Sequence, residues 1–94
     1  MEWEKPRPGE HVIGRDADVT ISLKSPTVSR HHAKIVIAGE VATLEDLGSK
    51  NGTHLRGVAV STPTQLADGD QLRIGAFELT FRTIGSKGST ETLK

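Results

Sequence analysis

The amino-acid sequence predicts an all-β domain, either a sandwich or a barrel. Two observations carry that expectation. Apolar residues recur with a period of two in short runs, as half-buried strands require. Between the runs sit turn formers at spacings too close for helices of ordinary length. The 94 residues suit a single domain.

Taken in order, Met1 to Glu10 are rich in proline and charge and show no apolar period. They read as a loose arm, with Trp3 folding back on the domain. The stretch His11 to Gly14 leads into the first loop. Val19, Ile21 and Leu23 then alternate with Thr20 and Ser22, giving a strand. Ala33, Ile35 and Ile37 form another run, in which Val36 breaks the alternation and suggests that both faces are covered. Ala42, Leu44 and Asp46 share one side of the next strand, with Val41 and Thr43 on the other. Phe77, Leu79 and Phe81 alternate with Glu78, Thr80 and Arg82, and both phenylalanines are expected in the core. Gly39-Glu40, Asn51-Gly52, Asp68-Gly69-Asp70 and Gly75 punctuate these runs as turns that tolerate positive φ. Gly85 to Lys94 are Gly, Ser, Thr and Lys in the main, and read as a solvated tail or linker. The expected organisation is an arm at 1–10, a domain at 11–84 and a flexible tail at 85–94.

Composition narrows the function. Twelve Lys and Arg balance twelve Asp and Glu. A broad nucleic-acid binder would carry a clear basic excess and stacking aromatics, whereas this chain has one Trp and two Phe. With no cysteine there is neither disulfide nor thiolate chemistry, which favours an intracellular setting. No apolar run approaches the ~20 residues that span a bilayer, and no signal-peptide pattern opens the chain. The reading is an intracellular module, expected in the cytoplasm, without membrane or nucleic-acid partners.

Three stretches carry the chemistry: Ile13-Gly14-Arg15-Asp16, Thr27-Val28-Ser29-Arg30-His31-His32-Ala33, and Asp46-Leu47-Gly48-Ser49-Lys50-Asn51-Gly52-Thr53. Leu66 to Asp70 and Ile74-Gly75 follow them. In order and spacing these pieces resemble the forkhead-associated (FHA) family pattern, GR, SxxH, SxNGT, GD and IG, over about His11 to Arg82. Any single piece is weak, since Asn-Gly alone is first of all a hairpin turn. Together they imply a SMAD/FHA-type β-sandwich of two twisted, mainly antiparallel sheets. They also imply phosphothreonine-dependent binding of a partner protein in Ser/Thr kinase signalling, with no cofactor.

The chemistry of a phosphothreonine matches the residue types. The phosphate carries ~1.5–2 negative charges near neutral pH and three acceptor oxygens. Arg15 offers a planar fork that stays protonated, Ser29 a hydroxyl donor and Arg30 a second charge. The resemblance assigns all three to the phosphate. It assigns Asn51, with both donor and acceptor, to the peptide main chain. Gly14, His32, Gly52 and Thr53 are implied as structural supports, His32 by hydrogen-bonding neighbouring loops. Preference for threonine over serine rests on one methyl group, worth ~0.8 kcal/mol on burial, and Gly48 to Asn51 are the expected wall of its pocket.

The sequence departs from the family in three places. The family's first strand must be short, irregular and built around Trp3, or missing. Lys50 stands where Thr or Ser is frequent, and Arg56 stands before Gly57 where Asn is frequent. These two cations are expected to favour acidic residues flanking the phosphothreonine. The tail residues Ser89-Thr90-Glu91-Thr92 offer a further partner, since a phosphorylated tail would allow self-association.

Other readings compete less well. A sandwich of the same fold could bind unmodified protein or dimerise, but Arg15, Ser29 and Asn51 together argue against a degenerate site. A nucleophile set of Ser29, His32 and Asp46 lacks the elbow such a serine needs, so no catalytic residue is expected. His31 reads as an exposed strand residue that points away from His32, and His11 and His54 lack companions, so no metal site is expected.

Overall fold

The computed structural model describes residues 9–82. Nine strands occur among them: β1 (Glu10–Gly14), β2 (Ile21–Ser22), β3 (Ala33–Ala38), β4 (Val41–Asp46), β5 (Thr53–Leu55), β6 (Val58–Ala59), β7 (Thr64–Leu66), β8 (Gln71–Ile74) and β9 (Phe77–Thr80). They form two sheets, one in the order β2-β1-β3-β4-β7 and the other in the order β6-β5-β8-β9. Every pairing is antiparallel except β1 with β2. The fold is the expected all-β sandwich. The question of the family's first strand around Trp3, and that of the tail at Ser89 to Thr92, lie outside the described residues.

The period-two pattern finds its physical cause in the core. Ile13, Ile35 and Leu44 from the first sheet meet Leu55, Leu72 and Ile74 from the second, with Val28 and Phe81 closing the cluster. Phe77 is only half-buried and packs against that cluster from its rim. Within the run Val19 to Leu23 the alternation of burial holds, but only Ile21 and Ser22 form a strand. The reason is the partner: β1 reaches no further than Gly14, so the register Ile13↔Ile21 and Gly14↔Ser22 exhausts it. At the other end β1 begins at Glu10, and the carbonyl of Gly9 accepts from the Ile37 N–H at 2.7 Å. The last two residues of the expected arm thus lie along the first sheet.

Turn chemistry follows the glycines. The β3–β4 hairpin closes Ala38↔Val41 through Gly39-Glu40, with Gly39 at φ 65°. The β5–β6 hairpin closes Leu55↔Val58 through Arg56-Gly57, both left-handed at φ 52° and 82°, the pair of positive φ values that a type I′ turn demands. Asn51-Gly52 does not close a hairpin. It lies on the crossover from β4 in one sheet to β5 in the other.

Register brings the ends of several strands together. Ile13 pairs with Ala33 and Ala33 with Asp46, so the end of β1, the start of β3 and the end of β4 share one end of the first sheet. Thr53 pairs with Ile74, which places the start of β5 beside the β8–β9 turn. The β4–β5 crossover joins these two groups, and the three motif stretches meet there.

Candidate functional site

The site is assembled around the segment Thr27 to His32. Its backbone runs against the end of β1: Arg15 N–H donates to Ser29 O at 3.0 Å, Asp16 N–H to Arg30 O at 3.3 Å, and His32 N–H to Ile13 O at 2.9 Å. This approach explains Gly14. A Cβ there would stand 2.0 Å from the Arg30 carbonyl oxygen, closer than any side chain permits. Gly14 is required by the neighbouring backbone rather than by its own φ.

His32 locks the second contact. It is fully buried. Ser29 N–H donates to its Nδ1 at 3.0 Å, and its Nε2 lies 2.8 Å from the Gly52 carbonyl oxygen. A nitrogen that accepts carries no hydrogen, so the proton sits on Nε2 and donates to Gly52. The His32 backbone carbonyl accepts from Leu47 N–H at 2.9 Å. One imidazole thereby joins the Thr27–His32 segment to the β4–β5 crossover, as expected for a supporting residue. Gly52 itself adopts φ 86°, a conformation that disfavours side chains.

Asp46 organises the crossover. Its Oδ2 accepts from Gly48 N–H at 2.9 Å and Ser49 N–H at 3.0 Å. Its Oδ1 accepts from the Ser49 hydroxyl at 2.5 Å and the buried Thr53 hydroxyl at 2.7 Å. Burial pushes the Asp46 carboxyl up, but these hydrogen bonds from Ser49, Thr53 and Gly48 outweigh it and hold the group below its ordinary value of 3.8. Ser49 Oγ in turn accepts from Gly52 N–H at 2.9 Å. Sequence reasoning did not assign Asp46 a supporting role. The signal was the Asp-x-Gly-Ser spacing, which allows a carboxylate to cap the N–H groups two and three residues on.

On this frame the expected ligand groups converge. Arg15 is exposed, and its Nε donates to the Val28 carbonyl at 2.9 Å, which braces the guanidinium against the backbone. The Ser29 hydroxyl accepts from Lys50 N–H at 3.0 Å. Asn51 donates from Nδ2 to the Thr27 carbonyl at 2.8 Å, leaving the amide oxygen for another partner. Arg30 and Lys50 extend exposed side chains from the same two segments. Thr27 is a further support that the sequence did not disclose: its Oγ1 accepts from Ala76 N–H at 3.0 Å and meets Ser25 Oγ at 2.9 Å. Gly75 packs on the same residue, where a Cβ would lie 2.5 Å from the Thr27 carbonyl oxygen.

Arg56 is not brought to this cluster. It sits at the far end of β5, where its Nη1 pairs with Asp70 Oδ2 at 2.6 Å. Asp70 is buried and also accepts from Ala67 N–H at 2.8 Å. Burial pushes the Asp70 carboxyl up, yet the Ala67 N–H and the Arg56 guanidinium bring it below 3.8. His31 is half-buried rather than an exposed strand residue, and its Nε2 lies 3.3 Å from Asp16 and 4.0 Å from Asp18. That juxtaposition, with all ligand atoms within 4.8 Å of one another, joins two loops and is invisible in local spacing.

Ser29, His32 and Asp46 form no relay. The histidine meets the serine's backbone N–H and the Gly52 carbonyl, while the carboxylate serves the crossover. A family model described as FHA domain matches residues 11–75. The chain belongs to the FHA domain family.

This FHA domain is 43% identical over 79 residues to the transcriptional regulatory protein EmbR of Mycobacterium tuberculosis, a match covering 83% of this chain and 20% of that protein. It is 41% identical over 70 residues to the glycogen accumulation regulator GarA of Mycolicibacterium smegmatis, covering 74% of this chain and 44% of that one. The chain thus spans less than half the length of these relatives. An FHA domain solved for the structural and functional analysis of phosphothreonine-dependent FHA domain interactions superposes with a TM-score of 0.79 at 41% identity, covering 86% of this chain and 83% of that one. Mycobacterium tuberculosis EmbR in complex with a low-affinity phosphopeptide superposes at 0.78 and 41% identity, covering 85% of this chain and 21% of that one. FHA domains are binding modules, and these relatives are regulators.

Proposed function

We propose that this FHA domain docks reversibly onto a phosphothreonine-bearing segment of a partner protein, inside the cell and without catalysis. The observation that carries the reading is one juxtaposition. Arg15, braced through its Nε, stands beside Ser29, whose hydroxyl oxygen is occupied by Lys50 N–H and whose proton is left to donate. A charged fork and a hydroxyl donor on rigid backbone suit the oxygens of a phosphate dianion. Arg30 adds charge at the rim, and Asn51 offers its amide oxygen to a main-chain N–H. Gly14, His32, Gly52 and Thr53 hold these groups in place. Similarity to a phosphopeptide-bound FHA protein supports the assignment.

Lys50 is the flanking cation that this geometry favours, because its side chain leaves the same crossover as Asn51. Arg56 serves the buried Asp70 carboxylate instead. The wall formed by Gly48 to Asn51 would pack the threonine methyl, for which complete burial is worth ~0.8 kcal/mol, or about fourfold in affinity.

Titration against peptide libraries with fixed phosphothreonine, phosphoserine or unmodified threonine tests the proposal. Saturable binding to the phosphothreonine set, binding about fourfold weaker to the phosphoserine set and none to the unmodified set is the expected result. Equal binding to the unmodified set would overturn it in favour of a phosphate-independent interaction module.

A further inference from the structure

The hydroxyl of Ser29 has one proton and two lone pairs, and rotation about its Cβ–Oγ bond leaves the proton's direction undetermined. Lys50 N–H supplies what determines it. By occupying one lone pair at 3.0 Å, it turns the hydroxyl proton away from the crossover. Lys50 N–H is itself held from both sides. Ser49, just before it, has its N–H and its hydroxyl bound by Asp46. Gly52, two residues beyond, donates its N–H to Ser49 Oγ and receives the His32 Nε2 proton on its carbonyl. Four donors therefore end on one carboxylate, and the peptide unit they fix is the one that meets Ser29.

We infer that Asp46 is a positioning residue for phosphate recognition, acting through Lys50 N–H to orient the Ser29 hydroxyl as a donor. This rests on the phosphothreonine reading above. Both Asp46 oxygens are taken by donors of the crossover and of Thr53, so it acts on the phosphate only through that chain. Its contribution differs from general stabilisation because it passes through one hydrogen bond between two segments. An asparagine in its place must present an amide NH₂ either to two backbone N–H groups or to the two hydroxyls. The first choice sets donor against donor; the second makes both hydroxyls accept and frees the Ser49 proton that now ends on Asp46, and the Ser49–Lys50 peptide unit loosens in either case.

The test is a double-mutant cycle read by calorimetric titration with a phosphothreonine peptide, using wild type, Asp46→Asn, Ser29→Ala and the double variant. Asp46→Asn is expected to weaken binding roughly threefold to tenfold in the wild-type background. In the Ser29→Ala background it is expected to cost less than about twofold, because the group it orients is gone. An equal loss in both backgrounds, or no loss in either, overturns the inference. Should Asp46→Asn fail to fold, Ser49→Ala breaks the same chain of hydrogen bonds and enters the same cycle. Hydrogen exchange at the Lys50 amide supplies a readout that needs no ligand. Faster exchange of that amide in both Asp46→Asn and Ser29→Ala supports the positioning role even if no phosphothreonine peptide binds, in which case only the functional reading falls. Unchanged exchange in Asp46→Asn overturns the role whatever the peptides do.

Discussion

Replacing Arg15 with alanine removes the one guanidinium that is braced against the backbone beside Ser29. The brace matters for the magnitude. Nε donates to Val28 O at 2.9 Å, so the side chain is partly ordered before any ligand arrives and loses less freedom on binding. The two terminal nitrogens then offer charge-assisted hydrogen bonds to phosphate oxygens. A hydrogen bond to a charged group contributes about 1.5–3 kcal/mol; counting the exposed fork as a single such bond, because water screens its second nitrogen, its loss should weaken a phosphothreonine peptide by about 10- to 150-fold. Folding should change little, because Arg15 is exposed and gives up one hydrogen bond. Lysine at this position keeps the charge but cannot hold Val28 O and the phosphate together in one plane. It should fall between wild type and alanine. The assay is fluorescence anisotropy with a labelled phosphothreonine peptide at low and high salt, alongside urea denaturation of each variant. Wild-type affinity in a folded Arg15→Ala domain would refute the assignment of Arg15 to the phosphate.

Further outcomes follow from the same geometry. His32→Ala strands the Ser29 N–H and the Gly52 carbonyl in a buried site. It should cost about 2–4 kcal/mol in urea denaturation and weaken peptide binding as well. Gly14→Ala drives a methyl into the Arg30 carbonyl and should cost about 1–3 kcal/mol with loss of affinity. Gly39→Ala has open space but a left-handed φ, so it should lower Tm while leaving affinity intact. Arg56→Ala should destabilise by about 1 kcal/mol, discounted for the exposed guanidinium, and leave the preference for acidic peptides unchanged, whereas Lys50→Glu should reverse that preference. Acid sensitivity should appear in two separate windows. Asp46 and Asp70 both titrate below their ordinary value of 3.8 when folded. Their stabilisation is therefore complete above that value and lost as pH falls through the lower folded values, which denaturation at stepped pH would follow. Peptide affinity should decline earlier, below about pH 6, where the phosphate gains its second proton.

Much of this protein was legible along the chain. The alternation in Ala33 to Ile37 and in Ala42 to Asp46 made strands, and Gly39-Glu40 made the hairpin between them. Arg15, Ser29 and Asn51 stood out because each sits in a short motif whose spacing is itself local. What tertiary structure decided were the partners. Asn51-Gly52 crosses between sheets instead of closing a hairpin, because β4 finds β7 and β5 finds β8. Arg56 is drawn to Asp70, fourteen residues on. Gly14 has no unusual φ, and its need appears only when the Arg30 carbonyl lies over it. Asp46 reads as one more alternating strand position until the crossover folds back onto its carboxylate. Periodicity reports which face of a strand is dry, since that depends on residues two apart. Which donor meets which acceptor depends on the register of segments distant in sequence, and the packing of the whole sandwich sets that register.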